Sequence, residues 1–186
     1  MRASMSRAPS ESADPVGPIV ALLVRFPEIA TLVSHPTDGT LTLSFAVAKK
    51  LDRTTQREVS DLLLEHVRSF TELVAEPFET LEVACETDEA MTFLRLTRDA
   101  RTLTREELQM LTALVSQRFE ALLVKSPVSD DEALDDDPSA QDDAVDSALD
   151  ALREPTQQKS LVGFREEKRV MVYFVSARKK AKARAR

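Results

Sequence analysis

"TLEVACETDEAMTFLRLTRDARTLTREEL", residues 80–108, holds the change of period that decides the fold. Leu81, Val83 and Cys85 alternate with polar residues, a polar turn follows around Asp88 and Glu89, and "MTFLRLTR" resumes a strand pattern. These two runs predict an antiparallel hairpin. In "LTREEL" the spacing changes: Thr104 and Glu107 stand as in a capping box, with Leu103 and Leu108 at the two hydrophobic-staple positions. The pattern predicts a helix from Arg105 through Leu111, Val115 and Phe119 to about Leu123.

Upstream, "HPTDG" supplies a turn, and "TLTLSFAV" sets Leu41, Leu43, Phe45 and Val47 on one face of a strand. From Asp52 onward Val59, Leu62, Leu63, Val67, Phe70, Leu73 and Val74 recur at three and four residues, the mark of an amphipathic helix closed by Pro77. Before the turn, Pro18 opens "PIVALLVRF" and Pro27 opens "PEIATLV". Proline suits the first turn of a helix, so two short helical pieces bent at Phe26-Pro27 are expected.

Strand, helix, strand, strand, helix is most of a ferredoxin-like split βαβ unit, which needs one more strand to complete its sheet. "EALLVKSP" follows the helix with almost no loop. "KSLVGFREEKRVMVYFV" suits the role better, as two strands around a charged turn at Arg165 to Lys168. Val170, Val172 and Phe174 alternate with Met171, Tyr173 and Val175, so both faces of the last strand are apolar, as in a strand covered on two sides. The class expected is α+β: a ferredoxin-like split βαβ sheet with N-terminal helices, an acidic linker with a short helix, and a C-terminal β-hairpin. The expected boundaries are a disordered N-terminus over 1–15, a body over 16–126, an acidic linker over 127–158 with a helix at about 139–153, a hairpin over 159–176 packing on the body, and a disordered basic tail over 177–186.

The chain has 186 residues, 42% hydrophobic and 31% charged, which suits one globular domain with tails. A body of this size buries roughly 65–70% of its unfolded surface and needs no disulfide or metal as a staple. Charge is sharply divided. Residues 130–154 hold eleven acidic side chains against one arginine, a net of −10, while residues 178–186 carry +6. Given the formal −7 of the whole chain, the remainder is nearly neutral. The apolar run "IVALLV" stops after six residues at Arg25, too short for a signal peptide or a membrane span. A cytoplasmic location without membrane association is expected.

The familiar catalytic patterns are missing from the sequence. Three glycines, at 17, 39 and 163, make no phosphate-cradling loop. His35 sits in a turn before proline and His66 lies among the apolar residues of the long helix, with no second ligand at metal spacing. Cys85, the single cysteine, reads as core filler. Asp135, Asp136, Asp137, Asp142 and Asp143 lack the glycine of a calcium loop and read as a solvated linker, with Ser139 as a helix cap and Val145, Leu149 and Leu152 at helical spacing. No cofactor, metal or catalytic residue is expected.

Two basic groups stand out. Arg95 and Arg98, with Arg165, Lys168 and Arg169, form one basic edge if the hairpin lies beside the "MTFLRLTR" strand; otherwise they are solvated guards of an edge. Arg178, Lys179, Lys180, Lys182, Arg184 and Arg186 are interleaved with alanines, able to neutralise phosphates but with no aromatic for stacking. The expectation is a non-enzymatic binding protein whose basic tail meets nucleic acid, RNA or the ribosome foremost. The alternative is a protein-interaction or homo-oligomerisation module working through a sheet edge or the N-terminal helices.

Overall fold

A computed structural model describes residues 14–125, 138–155, 158–166 and 169–175. Its elements are α1 (Gly17–Arg25), β1 (Thr31–His35), β2 (Thr40–Val47), α2 (Arg53–Leu73), β3 (Leu81–Thr87), β4 (Thr92–Asp99), α3 (Arg105–Phe119), α4 (Pro138–Arg153), β5 (Ser160–Glu166) and β6 (Arg169–Val175), with a 3-10 turn at Glu120–Leu122. The six strands form one sheet in the order β3-β4-β2-β1-β5-β6, and every neighbouring pair is antiparallel.

The chain crosses from β2 through α2 to β3, and β4 returns between them. At the other edge of β2, where a ferredoxin-like order would seat a strand that follows α3, stands β1. The α+β class is therefore right, while the sheet as a whole does not follow the ferredoxin-like order. Among the described residues, the segment after α3 contributes only a bridge between Leu123 and Val47, flanked by the bonds Ala48 N–H to Leu122 O (2.7 Å) and Val124 N–H to Ala46 O (2.8 Å).

Strand β1 corrects the expected second helical piece at Pro27. Helix α1 ends at Arg25, and the chain from Thr31 pairs with β2 on one side and β5 on the other. Ile29, Leu32 and Val33 fit either period in so short a run. Pairing on both edges decides the outcome, a tertiary override of local pattern. Arg165, on β5, secures the break: its guanidinium donates to the carbonyls of Phe26 (3.1 Å), Pro27 (3.4 Å) and Ile29 (2.6 Å), in the segment between α1 and β1.

The core lies between the helices and one face of the sheet. Leu32, Leu41, Leu43, Phe45, Val47, Leu94, Leu96 and Leu161 are buried there with Ile19, Leu22 and Leu23 of α1, Val59, Leu63 and Val67 of α2, and Leu108, Leu111 and Val115 of α3. Helix α4 adds Val145, Ala148, Leu149 and Leu152, and its neighbours are α1 and α3. Its acidic side is tied down as well: Asp142 pairs with Arg25 (3.4 Å) and Arg105 (3.6 Å), and Asp146 with Arg105 (3.0 Å). Gly163 lets α1 sit directly on β5, since a Cβ there would lie 2.3 Å from Ile19 Cγ2 and 2.9 Å from Leu23 Cδ1.

Thr104 caps α3 as its spacing predicts, its Oγ1 accepting from Glu107 N–H at 3.2 Å. Glu107 does not close the box. Its carboxylate instead takes a two-pronged bond from Arg98, Nε to Oε1 at 2.8 Å and Nη2 to Oε2 at 2.9 Å, and both side chains are 0% exposed. Arg98 Nη1 also donates to Asp99 and to Thr102 Oγ1 (3.0 Å), and the guanidinium lies over the Phe78 ring. A buried charge demands such pairing, and the demand outweighs the weaker backbone bond a capping box would provide.

Candidate functional site

The basic edge that would follow if the hairpin lay beside β4 does not form. Strands β4 and β5 are separated by β2 and β1, Arg98 is inside the core, Arg165 is spent on the α1 terminus, and Arg95 is paired with Glu86 at 2.5 Å. Arg169 stands at the exposed start of β6, opposite Glu166. Lys168 lies outside the described residues. So do Arg178, Lys179, Lys180, Lys182, Arg184 and Arg186, together with Asp135, Asp136 and Asp137.

The other single residues stay modest. Cys85 is half-buried on β3, its Sγ 3.5 Å from Ser60 Oγ and 3.8 Å from the Gln56 carbonyl oxygen. His66 is half-buried on α2 with Nδ1 2.8 Å from the Leu62 carbonyl oxygen, and His35 Nδ1 is 3.4 Å from Ser160 Oγ. Among the described residues no group of three His, Cys, Asp or Glu side chains is placed to hold a metal ion, and no helix is long and apolar enough to cross a membrane.

What the fold does offer is the face of the sheet opposite the core. Strand alternation sends Thr31, Val33 and His35 of β1, Thr42 and Ser44 of β2, and Phe93, Arg95 and Thr97 of β4 to this side, most of them partly exposed, whereas their neighbours in sequence are buried under helices. The registers Val33↔Thr42, Thr42↔Thr97 and Val33↔Val162 make these rows continuous across the sheet, and the shallow concavity they form measures about 580 Å³.

The face changes character from one end to the other. Toward β3 it is polar: Thr42 and Thr97 hydroxyls meet at 3.0 Å, and Glu82, Glu86 and Arg95 follow. Toward β6 it is apolar and aromatic. Phe164 and Tyr173 stack with centroids 5.8 Å apart and planes 22° from parallel, beside Val162 and Met171. Strand β6 is the outermost strand, and Tyr173, Phe174 and Val175 are 48%, 54% and 42% exposed. This corrects the expectation that β6 is covered on two sides: only Val170 and Val172 pack against the core.

The parity of "KSLVGF" and "RVMVYFV" is enough to place Phe164 and Tyr173 on one face, given the hairpin. Their exposure was not legible, because an apolar residue on a strand signals a covering layer without saying whether the same chain provides it. No protein family, curated protein or solved structure matches this chain.

Proposed function

We propose that this is a non-enzymatic protein that binds single-stranded nucleic acid, RNA foremost, with the Phe164–Tyr173 end of the uncovered face as a stacking platform and the basic tail as its electrostatic arm. One observation carries the reading: Tyr173, exposed and stacked on the half-buried Phe164 of β5, sits on the strand whose continuation, three residues past Val175, begins a run of six positive charges. Bases stack on aromatic side chains irrespective of sequence, and neighbouring cations track the phosphates. The tail alone had no such partner in the sequence. Tyr173 now supplies one.

Part of the acidic segment competes for the same cations. Asp142 is committed to Arg25 and Arg105, so the group left to mask the tail includes Asp135, Asp136, Asp137 and the exposed Asp143 but not Asp142. Tethered in one chain, these charges act as a brake that nucleic acid must displace, and salt weakens the brake by screening.

The test is a fluorescence titration of labelled single-stranded RNA against wild type, a 1–177 truncation and Tyr173→Ala, at two salt concentrations. With six contacts the log–log salt slope should be no steeper than about −4. Tyr173→Ala should weaken binding by about 1–3 kcal/mol at unchanged slope. Truncation should abolish most binding and the slope with it. A truncated chain that binds as well as wild type would overturn the reading.

A further inference from the structure

We infer that β6 is the seam at which two copies of this chain join, edge to edge and antiparallel, into one twelve-stranded sheet. Every residue of β6 from Arg169 to Val175 pairs with β5 on one side, and among the described residues no strand lies on the other. The outward backbone groups of an edge strand are a template for another strand, and soluble proteins normally blunt it with proline, charge or a bulge. Strand β6 has no proline or glycine, and its one charged residue, Arg169, stands at its very start. The opposite edge is built differently. Strand β3 places Glu82 and Glu86 on its exposed side, which keeps a second edge from docking there.

The pattern of β6 specifies a copy of itself. A two-fold axis perpendicular to the sheet keeps both sets of helices on the same side, and it requires facing residues to share parity along the strand. Centred on Val172, such an axis pairs Met171 with Tyr173 on the uncovered face, and Val170 with Phe174 on the helix side, each twice. Arg169 then faces Val175, so no like charges meet. An isologous contact of this kind closes on itself and adds no further subunits. A strand from an unrelated protein would satisfy the backbone but would owe nothing to this symmetry.

The inference stands apart from the nucleic-acid reading, because the seam uses the edge of β6 and leaves the ring of Tyr173 on the uncovered face. In a dimer the two stacking platforms would lie side by side across the seam.

The test is light scattering on the full chain after nuclease treatment, run in parallel on the 1–177 truncation, which separates it from any failure of RNA binding. A mass of twice 20.7 kDa is expected for the full chain, and a dimer also for the truncation. Tyr173→Lys with Phe174→Lys should shift the dimer to monomer, with circular dichroism and melting confirming that the fold survives. Since that variant could also lose its fold, Val172→Cys in a Cys85→Ala background offers a second reading: residues facing across the axis should form a disulfide-linked dimer on mild oxidation, and Glu82→Cys at the other edge should not. A monomeric wild type overturns the inference. So does a dimer that survives the lysine pair while Val172→Cys fails to cross-link.

Discussion

Removing the Glu107 carboxylate should be among the most damaging single changes this fold can suffer. Arg98 keeps its guanidinium at 0% exposure with five donors to satisfy, of which two go to Glu107. In Glu107→Ala only Asp99 and Thr102 remain as partners, so Nε and Nη2 lose theirs in a site closed to water, beneath the Phe78 ring. Breaking one side of such a buried pair costs about 3–5 kcal/mol, a large part of the 5–15 kcal/mol that holds a domain of this kind together. With a urea m-value of about 2 kcal/mol/M, the midpoint should fall by about 1.5–2.5 M. The double variant Arg98→Met/Glu107→Leu should be more stable than Glu107→Ala, since apolar residues replace both charges of the pair while Asp99, which loses Arg98, keeps Thr102 and the Glu79 and Thr80 amides. Arg98→Met alone carries a second signature. Burial already pushes the Glu107 carboxyl above the usual glutamate range, with Arg98 opposing it. A raised carboxyl contributes stability below its unfolded pKa and loses it as pH rises through the folded one. Arg98→Met should therefore be most stable in acid and weaken toward neutrality. Urea melts of the four proteins at two pH values decide it. If Glu107→Ala costs less than about 1 kcal/mol, or the double variant loses the sum of the singles, the pair is not a coupled core element.

Three further outcomes can be checked. Thr104→Ala should lower stability by about 0.5–2 kcal/mol through loss of the α3 cap, leaving nucleic-acid affinity unchanged, as measured by thermal melts and RNA titration. Gly163→Val should force α1 away from β5 and cost at least the 1–3 kcal/mol typical of overpacking, with a matching loss of near-ultraviolet signal; a neutral result would mean α1 is not seated there. Asp99 is pushed up by burial but held below the ordinary aspartate range by Thr102, the Thr80 and Glu79 amides and Arg98. Its stabilisation is present above the unfolded pKa and fades as pH falls through the folded one, so Asp99→Asn should be weaker than wild type at neutral pH and converge with it in acid, by urea titration across pH.

Elements with long or redundant signals were readable from sequence. Helix α2 repeats its apolar face over six turns, and the 80–108 stretch combines a hairpin, a cap and a staple that all agree. Strand β1 was not readable, because five residues after a proline carry too few periods to separate 2.0 from 3.6. The signal for Arg98 was present and easy to discount. It shares parity with Leu94 and Leu96 in "MTFLRLTR", which already points it inward, and Glu107 stands beside Leu108 on the side of α3 that faces the core. Reading the pair as a cap treated the glutamate as local when its partner was nine residues away on another element. The uncovered aromatic face was half legible: parity grouped Phe164 with Tyr173 only once the hairpin was assumed, and which face the helices leave bare depends on the whole sheet order.

Helix α1 comes early in the chain, yet its packing partners include α4, β5 and β6, at the far end. Ribosomes add about 5–20 residues each second. Ile19, Leu22 and Leu23 therefore emerge with no surface to cover them, and about 140 residues, or roughly 7–28 s of synthesis, pass before Gly163 arrives to seat them. For that interval the growing chain displays the apolar residues of α1 in water, and a nine-residue segment of this kind is only a marginal helix until it is packed. Closing the fold is thus a late, long-range event, and a nascent chain stalled before β5 should be held by factors that bind exposed apolar segments, whereas one released after β6 should not.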